Sequence, residues 1–143
     1  MSGREMSFPP DGAELPGVRA AVREIAVGLN AAPSVGDNLA LVVDELVNNA
    51  IEHGAAYRKE AKDLRVSIAR DGDRLAVEFV DPEMPADQVA DLAAALDSRV
   101  DDVPALESER GRGLFLLTVY LEDLRAQQGE HGGMILSGRI QRQ

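Results

Sequence analysis

Between Leu15 and Leu29 the apolar residues fall at positions 15, 18, 21, 22, 25, 26 and 29, a spacing that turns one face of an α-helix toward a core. Pro16 suits the first turn of that helix, where no backbone N–H is needed, and Ala31-Ala32-Pro33 closes it. A stronger periodic run follows from about Val35 to His53. Leu39, Val42, Val43, Leu46, Val47, Ala50 and Ile51 form its broad apolar face, and Gly54 stops it. Ser34 reads as its N-cap, with Asp37 three positions on completing a variant of the capping box.

The period then changes from helical to alternating. Asp63–Arg70 places Leu64, Val66 and Ile68 on one side, Asp71-Gly72 makes a turn, and Arg74–Val80 alternates again, the pattern of an antiparallel hairpin. Asp81-Pro82-Glu83-Met84-Pro85 breaks the second strand, and Ala86–Leu96 predicts a short helix. The stretch 97–110 is polar, acidic and aperiodic, which predicts a loop. Gly111-Arg112-Gly113 then opens an apolar helix over Leu114–Leu121. Arg4–Phe8 at the start, and Asp123–Gln128 and Gly133–Ile140 at the end, read as three further strands. Helices and strands do not alternate regularly, so a doubly wound parallel sheet is disfavoured. The expected fold is α+β in two layers: a mixed sheet with helices on one face, as one domain over residues 1–143.

Composition narrows the function classes. Fifteen basic residues against 25 acidic ones give a net charge of −10, which leaves no basic surface for nucleic acid or an anionic membrane. The chain has no cysteine and two histidines, which excludes disulfides, thiolate chemistry and Cys-based zinc sites. No run approaches the roughly 18–20 apolar residues of a membrane span, and the first residues hold no apolar signal core, so a cytoplasmic protein is expected.

Three places carry residues suited to chemistry. Glu45, Asn49 and His53 stand at i, i+4 and i+8 and so share one line of the second helix. A carboxylate and an amide one turn apart suit phosphoryl transfer, the first as proton acceptor and the second as an oxygen ligand for Mg2+. The parallel polar line of Asp44, Asn48 and Glu52 makes the same residues compatible with an ordinary solvated helix face. Arg110-Gly111-Arg112-Gly113-Leu114 brings glycines and two cations to a helix start, where backbone N–H groups can approach phosphate; Gly-x-Gly is also a common loop-to-helix junction. Asp81, at a strand end, can accept a hydrogen bond from an exocyclic amine or simply initiate a turn before Pro82.

Taken in order, these segments resemble one family. Asp44-Glu-Leu-Val-Asn-Asn-Ala-Ile-Glu-His-Gly54 is similar to the N-box of the GHKL (Bergerat-fold) ATPases, and within them to the RsbW/SpoIIAB-type anti-sigma-factor serine/threonine kinases. Asp81 stands where that family has its first glycine box, and Gly111-Arg-Gly-Leu-Phe-Leu-Leu117 where it has its second. The resemblance spans essentially the whole chain. It implies ATP or ADP with Mg2+ as cofactors, Glu45 as catalytic base and Asn49 as nucleotide-side Mg2+ ligand. It further implies Asp81 on the adenine amine, and Gly111 and Gly113, flanked by Arg110, Arg112 and Leu114, on the phosphates beneath a lid at about 97–110. It places Arg110 within reach of the γ-phosphate, one position later than the family's arginine.

The partners it implies are a STAS-type antagonist phosphorylated on serine and a sequestered sigma factor, with a homodimer formed through the first strand and helix. Arg19 falls near the sigma-factor contact of such proteins. Two departures set up an alternative, a catalytically weakened partner-binding module of the same fold. The first glycine box reads Asp81-Pro82-Glu83-Met84-Pro85 without a glycine. A carboxylate at Glu83, about 6 Å from a phosphate, would cost roughly 2–3 kcal/mol at an effective dielectric near 20. Gly132-Gly133-Met134 also lacks the threonine hydroxyl that often supports the aspartate in relatives. A detached histidine-kinase ATPase domain is disfavoured, because no dimerisation helix with a phosphorylatable histidine precedes it.

Overall fold

The computed structural model describes residues 3–98 and 109–143, with the side chains of Ser98 and of residues 109–114 left aside. The chain runs β1 (Gly3–Phe8), a 3-10 turn (Gly12–Glu14), α1 (Leu15–Gly28), α2 (Pro33–Gly54), β2 (Leu64–Asp71) and β3 (Arg74–Asp81). It continues through α3 (Ala86–Ser98), α4 (Glu109–Tyr120), β4 (Glu122–Gln128) and β5 (Met134–Gln141). The predicted elements are all present. The start of α2 differs from expectation. α2 begins at Pro33, whose fixed φ and missing N–H suit the first helical position, so Ala32 is the N-cap and no side chain caps it. Asp37 instead accepts a hydrogen bond from Arg23 of α1 at 3.0 Å.

The five strands form one sheet in the order β1-β2-β3-β5-β4, and every neighbouring pair is antiparallel. This corrects the expectation of a mixed sheet. The α3–α4 crossover does return the chain parallel to β3, but it sets β4 one place too far out, and β5 folds back into the gap between them. The predicted hairpin forms with Asp71 opposite Arg74 and with Gly72 at φ +62° in its tight turn.

Strict alternation on β2, β3 and β5 buries one side of the sheet. Leu64, Val66, Ile68, Leu75, Phe79 and Leu136 join Leu39, Val42, Val43 and Val47 of α2 and Val22 of α1 in one core. α1 packs on α2, α2 on α4, and α3 against β4. Burying some ten aliphatic and aromatic side chains, each contributing about 1.5–3 kcal/mol, is what fixes α2 across the sheet. That packing decides the site, because it carries the C-terminal half of α2 over the end of β3, where Asp81 lies.

Candidate functional site

The middle of α2 brings Glu45 and Asn49 together on one line, both half-buried. Asn49 and His53 line a small cavity with Phe79 of β3, Met84, Gln88 of α3 and Leu117 of α4. The Nε2 of His53 is buried there with no hydrogen-bond partner. The adjacent polar line faces α1 instead. Asp44 accepts from Arg19 at 2.7 Å and from Asn48 at 3.4 Å, so Arg19 is tied to α2.

Asp81, at the end of β3, is the one charged residue among those described that has no exposed surface. Arg58 meets it with both terminal nitrogens, Nη1 at 3.1 Å from Oδ1 and Nη2 at 2.9 Å from Oδ2. The Tyr57 hydroxyl donates to Oδ2 at 2.6 Å, and the Glu83 backbone N–H donates to Oδ1 at 3.1 Å. A carboxylate offers about four lone-pair directions, and here four donors use them. The guanidinium also lies 5.3 Å from the centre of the Tyr57 ring and donates to the Ala50 carbonyl at 3.0 Å, which ties it to the last turns of α2.

Glu83, for which the sequence predicts a phosphate repulsion, has its carboxylate engaged by the chain itself. Its carboxylate accepts from the backbone N–H groups of Lys59, Glu60 and Lys62 at 3.1, 2.9 and 3.0 Å, and from Arg58 at 3.3 Å. Burial on its own would raise the Glu83 pKa, but those three N–H groups and the guanidinium outweigh it and hold the carboxyl below its ordinary range. The Arg58 pKa is likewise pushed up: burial lowers it, and the hydrogen bond and charge of Asp81 more than reverse this.

Two glycines make room for this arrangement. A Cβ on Gly54 would collide with the Arg58 guanidinium, and one on Gly133, at φ +75°, would come within 2.7 Å of the Asp81 carbonyl and of Pro82 Cα. The threonine hydroxyl missing at Met134 has no free acceptor to serve, since Asp81 is already saturated. Sequence reasoning missed Tyr57 and Arg58. The signal available was a cation following Gly54 together with an acidic residue at an expected glycine.

The second glycine segment is placed differently from expectation. Gly111 and Gly113 lie within the first turns of α4, which starts by Glu109, rather than in a loop ahead of it. Arg110, Arg112 and Leu114 lie on the same helix, their side chains outside the description. Of the lid predicted at 97–110, Asp97 and Ser98 belong to α3, Glu109 and Arg110 to α4, and residues 99–108 lie outside the described residues. A larger, open depression on the exposed face of the sheet, lined by residues such as Ser67, Glu78 and Arg139, includes none of the predicted site residues.

An antiparallel sheet capped by a long helix bearing Glu45 and Asn49 over a strand-end Asp81 defines a class of protein. The family model of the histidine kinase-like ATPase domain matches residues 8–137, and the chain belongs to that family. Its fold is therefore of the ATP-using, kinase type, a fold that provides a nucleotide cleft. Among solved structures, a chain of the SiaB–SiaC complex from Pseudomonas aeruginosa is similar at 21% identity. That match covers 96% of this chain and 87% of the other, with a TM-score of 0.69. The catalytic domain of the histidine kinase ThkA, in a nucleotide-free form, aligns at 14% identity over 99% and 98% of the two chains, with a TM-score of 0.48. No curated protein matches the chain. No helix of the described residues is long and apolar enough to cross a membrane.

Among the described residues, those around Asp81 leave no room, as they stand, for the base half of a nucleotide. The cavity beside Asn49 measures about 40 Å³, where pockets for molecules of that size run to roughly 300–1,000 Å³. Its neighbour Asp81 has no lone pair left for an amine. Among the described residues no group of three His, Asp or Glu side chains gathers to hold a metal ion.

Proposed function

We propose that this chain is a partner-binding regulator of the anti-sigma-factor type, which acts by holding a protein partner rather than by turning over ATP. The observation that supports it is the state of Asp81. The residue that the resemblance assigns to the adenine amine is shut from solvent, and its four acceptor positions are taken by the chain's own donors. The fold is retained while the base subsite is spent on structure.

The SiaB–SiaC relative was solved as a complex, which favours a protein partner for this chain too. A STAS-type antagonist and a sigma factor are the partners to test first. β1 is an edge strand, and α1 leaves Val27 exposed beside it in sequence, the elements to which the resemblance assigns a homodimer.

A second reading, an ATP- and Mg2+-dependent protein serine/threonine kinase, is favoured by one observation: Glu45 and Asn49 are half-buried one turn apart on α2, with Asn49 on the cavity wall. Calorimetry separates the two. The regulator reading expects no heat with ATP or ADP up to about 1 mM, with or without Mg2+, and partner binding that needs no nucleotide. Mg2+-dependent binding in the micromolar range, lost in Asn49→Ala, would overturn it in favour of the kinase.

A further inference from the structure

The Arg58 cluster does more than satisfy a buried aspartate. Its members come from three separated segments: Gly54 and the Ala50 carbonyl at the end of α2, Tyr57 to Lys62 in the connection to β2, and Asp81 and Glu83 at the turn leaving β3.

A guanidinium presents planar N–H donors to a carboxylate much as the exocyclic amine of a purine does, with the difference that it brings its own positive charge. That charge needs a second anion, and Glu83 supplies it at 3.3 Å. Glu83 in turn anchors the 59–62 backbone through three N–H groups. The carboxylate at the degenerate box and the arginine at position 58 are thus one device. The bulk at position 58 requires the absence of a side chain at Gly54.

We propose that Arg58 is an internal occupant of the base subsite: its guanidinium takes the place at Asp81 that a purine's exocyclic amine would take. It holds the end of α2, the 57–62 segment and the β3–α3 turn together without nucleotide. This rests on the partner-binding reading and gives it a cause, since a site filled by the chain itself leaves the partner surface in one fixed form whatever the nucleotide level.

The test uses the full chain and ADP as probe. Wild type shows no binding at about 1 mM ADP, whereas Arg58→Met combined with Glu83→Gly, which empties the subsite and restores a glycine to the box, binds at least about tenfold tighter. Adding Asp81→Asn to that pair abolishes the gain. A folded double variant that takes up no ADP overturns the proposal and leaves the partner-binding reading standing. Micromolar ADP binding by wild type overturns that reading itself.

Should the double variant not fold, NMR of the wild-type arginine side chains decides the matter. Separate, slowly exchanging Nη–H signals for Arg58 that do not move on adding ADP support the occupancy. A single averaged signal, or one displaced by ADP, overturns it.

Discussion

Arg58 and Asp81 meet fork to fork, each terminal nitrogen on its own carboxylate oxygen at 3.1 and 2.9 Å, across 23 positions of sequence. The arginine side chain is 9% exposed and the aspartate 0%, so the pair sits in a medium where neither charge tolerates isolation.

Removing one partner should therefore cost far more than a surface ion pair does. Arg58→Met is expected to lower the unfolding free energy by about 3–5 kcal/mol, because it leaves Asp81 buried and charged. Replacing both, as Arg58→Met with Asp81→Leu, should return part of that loss. The Tyr57 hydroxyl and the Glu83 N–H then lack an acceptor, so recovery stays incomplete. Urea unfolding of the four proteins gives the coupling energy, expected above about 1 kcal/mol. Additive losses would show that the pair is not a unit.

Glu83 should confer a pH dependence of definite sign. Its folded pKa lies below the ordinary 4.5, so its stabilising contribution is fully present above that value and is lost as pH falls through the lowered folded one. Glu83→Gln should be less stable than wild type at pH 7, and the difference should shrink below about pH 4.5 as the wild-type carboxylate protonates. Thermal unfolding followed by circular dichroism from neutral to acid pH measures it. A constant difference would mean that the charge of Glu83 is not what the 59–62 amides hold.

These effects also explain which parts of the molecule the sequence disclosed. Periodicity located α1, α2 and the β2–β3 hairpin because each signal is local: Leu39 to Ala50 repeat within one helix, and Leu64, Val66 and Ile68 within one strand. Sheet direction was not local. It depends on β5 entering between β3 and β4, and no residue of β4 marks that event. Glu45, Asn49 and Asp81 were legible as a set through the resemblance. The partner of Asp81 was not, because Arg58 reaches it only after α2 and β3 are packed. Seen alone in the sequence, Glu83 carries a charge with no visible counter-ion, and a phosphate repulsion is the expectation that follows. The unmatched cation at Arg58 was the missing half.

Arg19 offers a contrast with the buried cluster. Its side chain is 37% exposed and its partner Asp44 24%, at 2.7 Å. Solvent screening limits such a pair, so Arg19→Ala should cost only about 0.2–1 kcal/mol, and less at high salt. If Arg19 also meets a protein partner, the same substitution should weaken that complex well beyond its effect on the free chain. Denaturation at two salt concentrations, set beside the partner affinity, separates the two roles.

Gly54 should show a reversal of sign. Alanine near the end of a helix ordinarily gains up to about 1 kcal/mol over glycine by reducing the freedom of the unfolded chain. Here the added Cβ would strike the Arg58 guanidinium, whose fork is held in place by two oxygens of Asp81 and by the Ala50 carbonyl, so the arginine cannot swing aside without breaking those bonds. Gly54→Ala in the wild-type background is thus expected to destabilise by about 1–3 kcal/mol, the usual range for overpacking. In the Arg58→Met background the obstacle is gone, and the same change should become neutral or stabilising. Unfolding free energies of the two pairs decide it. Equal losses in both backgrounds would place the strain at the helix end itself and remove Gly54 from the device built around Arg58.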